Sequence, residues 1–300
     1  MLKTKASGFL LTMSAALILS VLAISCDDPQ PISTNPSMNV VKDSVEEARI
    51  KELQKIFFSI PSPVEMAALI KEKGYNFDKN VLSPSSNVDK YTGEARQAIS
   101  LGVYGADLSY AAIFDQKQVT MEYFASAQKL AKQMGVDGAL TSELIERLDQ
   151  NQENRDSLLA IVSEAYADLN GYLKENQRIE ISALVVAGGW LEALYLSTIY
   201  SDNNPDMVQR IAEQKYALNN LVDYYEKFGD RQNLREMKAD LIALKEIYNA
   251  SSDTKGKTSV SKDSKGTVVI GSTNNVSISP ETLKKIATKA QELRKKYITA

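Results

Sequence analysis

Between residues 43 and 250 apolar side chains return every three or four positions almost without a break. That period belongs to helices with one buried face. The punctuation fits as well. Ser62-Pro63-Val64-Glu65 reads as a capping box with proline in the first helical turn, and Gly74 closes the helix it opens. Tyr75–Asn87 is rich in turn residues and reads as a long loop. Helices are expected over Val88–Phe114, Gln116–Met134, Thr141 or Ser142 to Leu148, Ile179–Tyr200, Pro205–Phe228 and Gln232–Tyr248. A further amphipathic stripe runs through Leu158, Ile161, Val162, Ala165, Leu169 and Leu173, and Asn154-Arg155-Asp156 supplies its cap. An all-α fold follows, an array or bundle of antiparallel helix pairs, with a tetratricopeptide-like superhelix as one form of it.

The texture changes after Ala250. Residues 251–279 are rich in Ser, Thr, Gly, Lys and Asn. Three β-branched runs, Thr258–Ser261, Thr267–Ile270 and Val276–Ser279, alternate with turn signals and predict a small β-hairpin insert, with a linker as the alternative. Ser279-Pro280 then starts a last helix with Leu283, Ile286, Ala290, Leu293 and Tyr297 on one face. Charge divides at the same place. Residues 26–250 carry net −11 and residues 251–300 net +6. A basic end that complements an acidic body explains this most simply; contact with an anionic lipid or polymer is the other reading.

The inventory excludes much chemistry. The chain has no histidine and one cysteine, Cys26. Serine–histidine catalysis, histidine-bound zinc and the Glu-x-x-His di-iron motif are therefore out of reach. No phosphate loop, dinucleotide fingerprint, calcium loop or zinc-ligand spacing is present. No catalytic residue, cofactor, metal or nucleic-acid partner is expected. Oligomeric state is left open.

Cys26 has a better use. Lys3 and Lys5 precede an apolar run from Phe9 to Ile24 that is broken by Thr12, Ser14 and Ser20. The run is shorter than the roughly 20 residues of a spanning helix and has the flanks of a signal peptide. Leu22-Ala23-Ile24-Ser25-Cys26 resembles the lipobox of bacterial lipoproteins, with Ala23 where leucine is commoner. That resemblance implies cleavage before Cys26 and acylation of it. The mature chain would then be held by two or more acyl chains, enough for stable anchoring. Asp27 and Asp28 resemble an inner-membrane retention signal in enterobacterial lipoproteins and a surface-export signal in Bacteroidota ones. The expected organisation is a signal peptide over 1–25, a proline-containing tether over 26–42, a helical domain over 43–250, the insert over 251–279 and a terminal helix over 280–300.

Two helices carry small residues at helical spacing: Ala98, Gly102 and Ala106 with Gly105 beside them, and Ala183, Ala187 and Gly188. Glycine inside a helix is less favourable than alanine by about 1 kcal/mol. Either two helix backbones approach closely there, or the missing side chains leave room for a ligand. Asp107 and Glu192 interrupt these same helices. They face solvent, cap a neighbour or accept from a tyrosine; the sharper expectation is one binding groove lined by Tyr104, Asp107, Trp190 and Glu192. An offset of 86 residues aligns Leu101-Gly102-Val103-Tyr104 with Ala187-Gly188-Gly189-Trp190 and suggests a duplicated helical hairpin.

FFSIPSP at 57–63, GVYGADL at 102–108 and AGGWLEALY at 187–195 are together similar to a family of uncharacterised Bacteroidota lipoproteins, over most of residues 45–250. The resemblance implies an outer-membrane lipoprotein, facing the periplasm or the cell surface, and transfers no catalytic residue. Three functions follow as expectations: a tethered, non-catalytic module for an envelope protein partner; a small-molecule or glycan-binding lipoprotein; and a carboxylate-based hydrolase, which needs a close carboxylate pair in a cleft.

Overall fold

The structure is a computed structural model. It describes residues 45–299 apart from 46, 54, 57–59, 61–62, 152–153, 255–257, 263–267 and 273–274. The expected signal peptide, Cys26, the tether, Ser62 and most of the Phe57–Ser62 corner lie outside the described residues.

The described residues between 45 and 56 are helical. Nine longer helices follow among the described residues: α1 (Pro63–Glu72), α2 (Glu94–Ile113), α3 (Lys117–Gln133), α4 (Ser142–Gln150), α5 (Arg155–Glu175), α6 (Ile179–Ile199), α7 (Pro205–Phe228), α8 (Arg235–Tyr248) and α9 (Pro280–Ile298). The fold is all-α. Polar side chains start several of these helices. Asn154, Asn204 and Ser279 each accept from the backbone N–H three residues on, at 3.1, 3.2 and 3.1 Å. The second expected helix starts later than its apolar pattern implies. Gly93 has φ +84°, which breaks helical geometry, so Val88 to Gly93 forms a turn and α2 begins at Glu94.

α2 and α6 form the axis of the fold, and they run parallel. Glu94 meets Arg178 where both begin, and the Tyr110 and Tyr200 hydroxyls lie 2.6 Å apart where both end. The three intervening helices carry the chain back. In a superhelical array each pair packs on its sequence neighbours; here the closest partners have three helices between them in the chain, which makes this a bundle.

Glycine permits the crossing. A Cβ on Gly102 would lie 2.7 Å from Gly189 N and deeper still into the Val185 carbonyl oxygen. One on Gly188 would lie 2.9 Å from the Ile99 carbonyl carbon and closer still to its oxygen. The two contacts are reciprocal: adding 86 turns Gly102 into Gly188 and Ile99 into Val185. The crossing thus has local two-fold symmetry at the offset found in the sequence. Beyond the crossing the two hairpins differ, since α3 lies along α2 far more extensively than α7 lies along α6.

α6 is long and apolar enough to cross a membrane, yet 89% of its most apolar window is buried inside the bundle. Around it, tyrosines do much of the filling. Tyr104, Tyr110, Tyr123, Tyr225 and Tyr248 are fully buried. A buried hydroxyl needs a partner, and these find them: Tyr225 donates to Ala183 O and Tyr248 to Ile211 O, each at 3.0 Å.

Between α8 and α9 the chain makes two antiparallel ladders. β1 (Ser252–Thr254) pairs with β4 (Asn275–Ser277), and β2 (Thr258–Lys262) pairs with β3 (Val268–Ser272). Ser252 faces Ser277 across the base, and Val276 is buried there. The insert therefore leaves and rejoins the bundle at one place. That lets α9 pack against α8 and α6.

Candidate functional site

Among the described residues the buried acids are Asp107 and Glu192, on the two axial helices just past the glycine crossing. Neither is exposed to solvent. Glu192 receives the Nε of Arg294 on both carboxylate oxygens, at 2.9 and 2.7 Å. Arg294 comes from α9; its Nη2 donates to Val81 O at 2.9 Å, and its guanidinium stacks 4.1 Å from the centre of the Tyr195 ring. Asp107 is held from the other side. Its Oδ2 accepts from Ser83 N at 3.0 Å and, more closely, from Ser83 Oγ. Tyr123 donates to Ser83 O at 2.5 Å and Tyr104 to Pro84 O at 2.9 Å, which fixes the loop that carries Ser83.

Burial drives the Asp107 carboxyl well above the usual carboxylate range, and the neighbouring Glu192 charge pushes the same way. Arg294 and the Ser83 hydrogen bonds pull against that shift without reversing it. Burial works against the charge on Arg294, but Glu192 outweighs it and the guanidinium stays protonated. Desolvation likewise raises Tyr104 and Tyr123, which remain neutral phenols. The cluster thus sets one guanidinium against two buried carboxyl groups, the Asp107 carboxyl raised by its burial, and all of it lies inside the protein.

The structure brings three of the four expected groove residues to one region and places them all inside the protein. Tyr104, Asp107 and Glu192 gather around the Ser83–Pro84 loop and Arg294; Trp190 points elsewhere, its Nε1 donating to Gln214 Oε1 of α7 at 3.0 Å. Their exposures are 0, 0, 0 and 2% in the order Tyr104, Asp107, Glu192, Trp190. The expected open groove is therefore corrected to a sealed polar cluster. The reason is α9, whose arginine fills the space in front of the two acids. The glycines leave no room for a ligand either, because backbone fills it at Gly102 and Gly188 and the Tyr166 ring fills it at Gly105; a hollow beside Gly105, Phe124 and Val162 is about 40 Å³ and apolar.

Arg294, Ser83 and Tyr195 were not singled out from sequence. For Arg294 a signal exists. It falls four residues after Ala290 and three before Tyr297, on the apolar stripe of its helix. A charge on a buried stripe calls for a buried countercharge.

Two open clefts lie elsewhere. One, of about 460 Å³, is formed by α4, α5 and the 137–139 turn and is lined by Glu143, Glu164, Asp168 and Glu175, with Arg147 bridging to Glu164 at 2.7 Å. The other, of about 450 Å³, lies between α1 and α7 and includes Glu65, Glu72, Asp206 and Glu213 with Arg210. Both fall in the size range of ligand sites. No group of three or more potential metal ligands occurs among the described residues.

Comparison with protein families, with curated proteins and with solved structures returns no match for this chain.

Proposed function

We propose that this protein is a non-catalytic helical module of the bacterial cell envelope, anchored in the outer membrane by acyl chains on Cys26 and acting by binding a protein partner. The observation that supports it most is the sealed state of Asp107 and Glu192. A carboxylate-based hydrolase needs its acids to reach substrate, and among the described residues these two are buried against each other, Arg294 and Ser83. Eight further acids line two open surface clefts, and the body is strongly acidic, so the partner presents a basic surface.

Affinity capture of the acylated protein from envelope extracts is expected to retain a specific partner at low salt and release it as ionic strength rises. Capture of nothing specific, or retention indifferent to salt, contradicts the reading. The address has its own check. Mass spectrometry of the native protein is expected to show an N-terminus at a diacylated or triacylated Cys26; a bare thiol or an intact Met1 removes the anchor.

The cleft between α4 and α5 supports a second reading, a small cationic ligand held by Glu143, Glu164, Asp168 and Glu175. Thermal unfolding against a panel of polyamines and amino sugars is expected to show a saturable rise in Tm, lost in Asp168→Asn. A flat response across the panel leaves only the protein-binding function.

A further inference from the structure

The hydrogen-bond accounting of the buried cluster is one donor short. Asp107 Oδ2 is fully engaged by Ser83, while Oδ1 is buried and has no donor within reach. The Glu192 carboxylate lies within hydrogen-bonding reach of the Asp107 side chain, whose Oδ1 is the oxygen left without a donor. Two ionised carboxylates cannot satisfy one another, and a buried oxygen without a donor is strongly disfavoured. A proton on Oδ1 resolves both problems: Asp107 then donates to Glu192, and one negative charge is left to match Arg294.

We propose that Asp107 and Glu192 hold one proton between them, and that this proton is part of the seat of the C-terminal helix, so that α9 is a latch that loosens as pH rises. The remaining contacts of α9 explain why the effect concentrates there. Its last carbonyls accept from Arg96 at 3.0 and 2.9 Å and from Asn87 and Tyr91 at 3.1 Å each. Lys296 pairs with Asp240 and Glu236 on the partly exposed side. Asn87 and Tyr91 are neutral donors, and the Lys296 pairs lie where solvent screens them. The groups that face Asp107 from each packed element are Glu192 and Tyr195 on α6, Tyr104 on α2, Tyr123 on α3, Tyr91 on the turn before α2, and Arg294 on α9. The tyrosines are all raised by desolvation and stay neutral. Arg294 is the cation of the set. Removing the shared proton leaves two buried carboxylates with one guanidinium; Arg294 attracts the second charge, but its desolvation is the larger effect, and lifting α9 relieves it by admitting water.

The sign follows from linkage. A carboxyl held protonated in the folded protein contributes fully below its unfolded value of about 4 and is lost as pH rises through its raised folded value. Over that window, opening of α9 rises by up to about tenfold per pH unit for one proton.

The test is amide hydrogen exchange on the full mature chain from pH 5 to 9, corrected for intrinsic rates. Wild-type α9 amides are expected to lose protection with pH faster than those of α2 and α6. In Asp107→Asn the side-chain N–H takes the place of the proton and cannot ionise, so the α9 profile is expected to go flat. An Asp107→Asn profile as steep as wild type, or wild-type helices that lose protection together, overturns the latch. Infrared spectroscopy gives a readout independent of how the variant folds. The wild-type protein is expected to keep a protonated-carboxyl C=O band at pH 7, and its absence overturns the shared proton.

Discussion

Replacing Gly188 with alanine is expected to abolish the native fold. The added methyl would enter the Ile99 carbonyl group, and backbone at a helix crossing has nowhere to go. α2 and α6 would have to separate, and the Asp107–Glu192 cluster and the Tyr110–Tyr200 hydrogen bond span the same interface. A loss above about 4 kcal/mol is expected, a large part of the about 5–15 kcal/mol that holds a domain folded. Gly102→Ala is expected to fail in the same way, since its methyl meets the Val185 carbonyl and Gly189 N. Gly171 is the control. It lies inside α5, and a methyl there meets nothing within 4 Å. Gly171→Ala is expected to stabilise by about 0.5–1 kcal/mol through helix propensity alone. Urea unfolding followed by circular dichroism separates these outcomes. Equal, small shifts in all three variants would show that the crossing is not the tight contact described.

Arg294→Met carries the second large expectation. It leaves the Glu192 carboxylate buried without its countercharge, and removing one partner from a buried pair is destabilising by about 3–5 kcal/mol. The methionine also loses the Nη2 contact to Val81 O and the guanidinium face on Tyr195. Glu192→Met alone takes both hydrogen-bonded oxygens from Arg294 and leaves Asp107 as its nearby acid. The double variant Arg294→Met/Glu192→Met puts two apolar side chains of similar volume into the gap, and replacing a buried ion pair in that way is often neutral or better. It is expected to recover most of the stability lost in either single variant, giving a favourable coupling in a double-mutant cycle. A double variant no more stable than the worse single would mean that the pair does not fasten α9.

The groove expectation failed for an instructive reason. Asp107 and Glu192 do come together, as the 86-residue offset brings Gly102 against the region of Gly188 and each acid follows within a turn or so. Once the fold lays the two helices parallel, their similar spacing from the glycines pairs the acids. That spacing could not show that a guanidinium 102 residues beyond Glu192 would occupy the space in front. Trp190 lies only two residues from Glu192, yet that separation turns it by about 200° around the helix and toward Gln214.

Local chemistry determined what local chemistry can reach. The 3.6-residue period set the helices, Asn154, Asn204 and Ser279 set three of their starts, and the glycines marked where two backbones touch. Absent histidine and a single cysteine narrowed the chemistry before any fold was known. Tertiary structure alone decided that α2 and α6 run parallel as the axis, that the insert folds back on its own base, and that α9 closes over the buried acids. Those features depend on contacts between residues far apart in the chain. Periodicity tells which face of a helix is buried, and it is silent about which other face covers it.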